Sequence, residues 1–273
     1  MSVSPAENPV SPTRHTSPLL QVRWVSPGPE SAPTALAFTG FGHRLDPWQR
    51  LRPADWRVGV VEFPVGSPAG FNWEAAELAR QLGRFWRSAR RRALLSFSYG
   101  GLGATAVGRV LAQADPHNFP RPDFAAYVAP VQWARAPWTL LKTVPRGARP
   151  RVLKGLANGG ARVGALARGL GGESIGQFVQ LVARYVGWDF VNQYLPYIDW
   201  IDSEARTVAT WDGLPWPNLL VGARRDRVIP ATGMHRLAAK HPNVDYVEVD
   251  ASHFNAVDAA RPELLRRLGA LLV

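Results

Sequence analysis

The chain has 273 residues, 46% of them hydrophobic, with 11 Trp, 11 Phe, no Cys and a formal net charge of +11. That length fits one large α/β domain or a domain carrying an insertion, with enough apolar content for a sizeable core. No run approaches the ~18 apolar residues of a spanning helix, no apolar stretch follows a basic start as in a secretory leader, and the lack of cysteine excludes disulfides, thiolate catalysis and Cys-ligated metal.

A cytoplasmic protein is expected. The basic balance, nearly all arginine, favours acidic partners, although charge alone speaks to solubility and association. Residues 1–18 are rich in Ser and Pro and are expected to be a disordered tail. Leu19 to Val25 alternates as a first strand. Thr34 to Thr39 is a continuous apolar run ending at Gly40, as in a buried parallel strand. Arg57 to Phe63 repeats the pattern. A helix is predicted from Asn72, a good N-cap, to Ser88. Ala93 to Phe97 reads as a strand, followed by a turn and a helix to about Gln113. Phe124 to Pro130 reads as another buried strand.

The strand–helix rhythm stops near Val131 and resumes at Asn218 to Gly222. A helix from about Thr232, a strand from Val244 to Val249 and a terminal helix from about Pro262 follow. The expected class is α/β, a mostly parallel sheet covered on both faces, with core residues 19–130 and 212–273 and a helical cap inserted at 131–211.

The chemistry centres on Ser96-Phe97-Ser98-Tyr99-Gly100. A serine between strand and helix is held exposed on a tight turn, and small residues two before and two after it let the turn close. The pattern here is S-x-S-x-G, and Ser98 is the candidate nucleophile. A serine hydroxyl needs a base to take its proton, and the base needs an acid to hold its tautomer. In a parallel sheet these partners sit on loops at the strands' C-terminal ends. Asp226 occupies the loop after one apolar strand, and His253 the loop after the last, giving the order Ser98, Asp226, His253.

Together these residues resemble the α/β-hydrolase superfamily, serine hydrolases with a helical cap of the esterase, lipase and thioesterase kind. The resemblance spans roughly residues 19–272. Four motifs match in order: Phe38-Thr39-Gly40-Phe41-Gly42, the turn at Ser98, the loop around Asp226, and Ser252-His253. It implies an oxyanion hole from the backbone N–H groups of Phe41 and Tyr99, each donor worth roughly 3–4 kcal/mol of barrier. Thr39 stands where the family usually has His, and Val65, in the loop Phe63 to Pro68, where a Gly is common. A Ser nucleophile rather than Asp disfavours dehalogenase-type or epoxide-hydrolase-type chemistry.

The implied reaction is hydrolysis of a carboxylic ester, or a thioester, with an apolar acyl or alcohol part. An acyltransferase or carbon–carbon bond hydrolase would use the same triad. A catalytically silent scaffold binding an acidic partner through its arginines is the reading from another class. No metal is expected, since no His, Asp and Glu cluster has ligand spacing, and no cofactor. Gly100-Gly101-x-Gly103 is a close-packing device rather than a dinucleotide loop.

Nucleic acid is not an expected partner. Between Asp123 and Glu173 no acidic residue occurs, while Arg135, Lys142, Arg146, Arg149, Arg151, Lys154, Arg162 and Arg168 alternate with Trp and Leu. A basic cap of this kind suits a soluble lid, an anionic carrier such as an acyl carrier protein or coenzyme A, or a seat on an anionic membrane. Arg84, Arg87, Arg90, Arg91 and Arg92 are read as cations meeting a helix C-terminus. His43 is a candidate for the entrance; His117, His235 and His241 are expected at the surface.

Overall fold

The computed structural model describes residues 21–39, 47–62, 75–98, 100–130, 214–226, 229 and 231–273. The expected tail 1–18, Leu19 and Leu20, Gly40 to His43, the 63–68 loop, Asn72, Tyr99 and the cap 131–211 with its basic residues lie outside the described residues.

Seven described strands form one sheet: β1 (Gln21–Ser26), β2 (Thr34–Phe38), β3 (Arg57–Glu62), β4 (Arg92–Phe97), β5 (Phe124–Val128), β6 (Asn218–Ala223) and β7 (Val244–Val249). Their order is β1-β3-β2-β4-β5-β6-β7. Only the β1–β3 pair is antiparallel; the other pairs are parallel. The apolar runs decide this arrangement. β2, β5 and β6 are buried at every position, as parallel strands covered on both faces must be. Edge strand β1 alternates between exposed and half-buried residues at its start.

The helices are α1 (Ala75–Trp86), α2 (Gly100–Gln113), α3 (Thr232–Ala238) and α4 (Ala256–Ala270). Alternation along the strands sorts the core in two. Leu36, Phe38, Leu94 and Tyr127 pack with Leu82 and Trp86 of α1, Val107 and Leu111 of α2 and Met234 of α3. Ala35, Ala37, Leu95 and Phe97 pack on the other face with Val257, Ala260, Leu264 and Leu268 of α4. Arg121 closes the C-terminal end of α2, donating from Nε to Leu111 O (3.0 Å) and from Nη2 to Ala112 O (3.0 Å) and Ala114 O (3.1 Å).

Most expected elements fall within about three residues of their observed bounds. The terminal helix is the exception. It begins at Ala256, six positions before Pro262, which sits inside it. Proline as a helix-start signal misplaced this boundary. The buried stripe Ala256, Val257, Ala260, Leu264 and Leu268 carries the helix through a position that lacks an N–H.

The arginine cluster after α1 divides by contact. Arg92 Nε donates to Trp86 O, the last residue of α1, at 3.0 Å. Arg91 Nε donates to Leu271 O at 2.9 Å and lies 3.7 Å from Asp123. These two arginines tie the strand entry to its neighbours.

Candidate active site

The parallel register aligns the strand ends that matter. Phe38 pairs with Ser96, Phe97 with Val128 and Val128 with Val221. The C-terminal ends of β2, β4, β5 and β6 therefore lie along one edge of the sheet, where an open α/β sheet places its ligand site.

Ser98 follows β4 directly and has φ of 51°, the left-handed region that L residues rarely adopt. Its backbone N–H donates to Val128 O (3.0 Å), and Gly101 N–H donates to Ser98 O (3.0 Å), so neighbouring strand and helix fix the turn. Glycine is required next to it. A Cβ on Gly100 would stand 2.6 Å from the carbonyl oxygens of Phe38 and Thr39; one on Gly101 would stand 2.7 Å from Pro130 Cβ. The first turn of α2 is thus pressed against the ends of β2 and β5. That turn holds no acidic residue, so the positive end of the helix dipole favours negative charge beside the serine. Ser96 shows how the turn tolerates a residue other than glycine: its buried Oγ donates to Ala126 O at 3.3 Å.

Asp226 lies in the loop after β6 and is buried. Its N–H donates to Ala223 O (3.0 Å), and its Oδ1 accepts the N–H of Ile229 (2.7 Å). Arginines flank it in sequence at 224, 225 and 227. Arg224 pairs with Glu248 (2.8 Å) and Arg225 with Asp250 (3.0 Å). Arg227 lies outside the described residues. Arg225 also donates to Asp250 O (3.0 Å), and its N–H reaches Ala251 O (3.0 Å), which ties the Asp226 loop to the loop leading to His253.

His253 opens a short 3-10 turn after β7 and is only 3% exposed. Its Nδ1 is 2.6 Å from Asp226 Oδ2, and its Nε2 is 2.9 Å from Ser98 Oγ. A carboxylate only accepts, so Nδ1 carries the hydrogen and Nε2 is left to accept the serine O–H. The structure therefore brings Ser98, His253 and Asp226 into one buried line. Phe41 and Tyr99 lie outside the described residues.

One neighbour of the site was not singled out in the sequence. The Phe97 ring lies 5.1 Å from the His253 ring, tilted by 35°. The only local signal was an aromatic at the last position of β4. Among the described residues no group of three or more His, Asp or Glu side chains is placed to hold a metal ion, and no helix is long and apolar enough to cross a membrane.

No family model matches the sequence, and no curated protein does. Solved structures do match the fold. The chain is similar to the enol-lactonase from Burkholderia xenovorans, with 18% identity and a TM-score of 0.59, over 93% of this chain and 96% of that one. It is similar to the 2-hydroxy-6-oxo-6-phenylhexa-2,4-dienoate hydrolase from a Rhodococcus species, with 15% identity and a TM-score of 0.58, over 91% and 99%. It is also similar to an α/β-hydrolase fold protein from Nakamurella multipartita, with 18% identity and a TM-score of 0.51, over 93% and 95%. Such identities speak for architecture rather than for a reaction. The chain has the α/β-hydrolase fold.

Proposed function

We propose that the protein is a serine hydrolase that cleaves a carboxylic ester or thioester through an acyl-enzyme. The observation that carries this reading is the buried line Asp226–His253–Ser98, with 2.6 Å and 2.9 Å between successive partners. In it, His253 Nε2 takes the Ser98 proton as Oγ attacks the acyl carbon. The resulting imidazolium is held by Asp226 through Nδ1–H. The oxyanion is received by backbone N–H groups, for which the family pattern points to Phe41 and Tyr99. His253 then protonates the leaving alcohol or thiol, and the acyl-enzyme is opened by a water that His253 deprotonates. The N-terminal end of α2, whose first turn holds no acidic residue, favours negative charge at the same place.

The aromatic and leucine content of the 131–211 segment suits an apolar acyl or alcohol part, and its run of basic residues suits an anionic carrier. Two of the similar structures are a lactonase and a hydrolase of a dienoate, so lactone or carbon–carbon bond cleavage by the same three residues is the second reading. Fluorophosphonate labelling tests the shared core of both. One phosphonyl group mapped to Ser98 by peptide mass spectrometry is the expected result. A folded protein that takes up no label would point to the silent scaffold instead.

A further inference from the structure

Hydrogen bonds hold both nitrogens of His253. The Phe97 ring lies against the same imidazole, with ring centroids 5.1 Å apart and planes inclined by 35°. Phe97 is wholly buried on the α4 side of the sheet, in the same cluster as Ala223, Ala251 and Ala256, which flank the Asp226 and His253 loops. Alternation along β4 turns Leu95 and Phe97 to that side, and Ser98 follows at the strand end. Consecutive residues thus supply the proposed nucleophile and the surface beneath the proposed base.

We infer that Phe97 is a positioning residue for His253, its ring holding the imidazole in line and meeting the charge that the imidazole takes up in each proton transfer. The inference rests on the hydrolase reading above. An aromatic face within about 6 Å of a cation attracts it, more so where water is excluded. His253 is neutral before Ser98 gives up its proton and cationic after, so the contact strengthens toward the transition state. Such an interaction acts on the rate of the bound complex and leaves binding alone.

The test replaces Phe97 with 4-fluoro-, 3,5-difluoro- and 3,4,5-trifluorophenylalanine, which nearly keep the ring's shape while draining its π-face. Phe97→Leu removes the face altogether. The readout is the rate at which a fluorophosphonate labels Ser98, separated into the maximal rate and the half-saturating concentration. The maximal rate should fall stepwise with fluorine count, reaching about five- to tenfold lower in the trifluoro protein and about tenfold or more in Phe97→Leu. The half-saturating concentration should stay constant. An unchanged maximal rate across the fluorinated series overturns the inference, as does a loss confined to half-saturation. Ser98→Ala run in parallel separates the two levels. Labelling that survives it, or a wild type that takes no label, sinks the hydrolase reading and this inference with it. Ser98-dependent labelling that ignores fluorine sinks the inference alone.

Discussion

His253 Nε2 lies 2.9 Å from Ser98 Oγ, although 155 positions separate the two residues in the chain. The sheet closes that gap. β4 carries Ser98 to the sheet edge, and β7, two strands beyond β5, carries His253 to the same edge. Asp226 arrives between them on β6, and its second oxygen is engaged by the Ile229 N–H. The carboxylate is therefore aimed before any substrate binds, as preorganised catalysis requires.

Asp226→Asn should lower kcat for ester hydrolysis by about 10³–10⁴-fold with little change in KM, because an amide N–H opposite Nδ1 selects the wrong histidine tautomer. Steady-state kinetics beside a thermal melt decides the matter. A loss below about tenfold in a folded variant would mean that Asp226 does not orient His253.

Ser98 is held at φ 51° in a conformation that costs a non-glycine residue roughly 1–2 kcal/mol. Both Ser98→Ala and Ser98→Gly lose the hydroxyl, but only glycine relieves the backbone. Ser98→Gly should melt above Ser98→Ala by about 2–4 °C, with both inactive. Equal melting temperatures would show that the turn stores no strain.

The glycines divide by what surrounds them. At Gly100 an added Cβ meets backbone carbonyls at 2.6 Å, whereas at Gly269, in the last turn of α4, it meets nothing within 4 Å. Gly100→Ala should cost about 1–3 kcal/mol and slow hydrolysis by moving the serine turn. Gly269→Ala should add about 0.5–1 kcal/mol and leave kinetics alone. Chemical denaturation of the pair reads both signs at once.

Much of this was legible in the sequence, and the limits are physical. The strands of the core showed as short apolar runs because a parallel strand buried on both faces has no polar side. Ser98, Asp226 and His253 stood out because each follows such a run. Pairing order is non-local: nothing in Gln21–Ser26 says that it lies antiparallel beside Arg57–Glu62. Phe97 against His253 escaped notice for the same reason, since a lone aromatic at a strand end reads as core until the facing loop is placed. Pro262 misled because a local helix-start preference was overruled by the apolar face of α4 against the sheet.

α4 also supplies a pH-dependent term. Hydrogen bonds from Arg266, and then from Arg267, hold the Glu263 carboxyl at about 2, below its ordinary 4.5, against the opposing effect of burial. A carboxyl whose folded value is depressed contributes stability above its unfolded value, and that contribution is lost as pH falls through the folded one. Wild-type melting temperature should therefore drop more steeply than that of Glu263→Gln between about pH 4.5 and pH 2. The Glu263 side chain is part-buried, but its partner Arg266 reaches solvent, so added salt should shrink the difference. Parallel slopes at low salt would contradict the prediction.

The most direct measurement is hydrolysis of p-nitrophenyl esters, from acetate to laurate, by the wild type and by Ser98→Ala. The account predicts measurable turnover by the wild type at one or more chain lengths, and loss of nearly all of it in a Ser98→Ala protein with an unchanged circular dichroism spectrum. Hydrolysis by Ser98→Ala at the wild-type rate would contradict it.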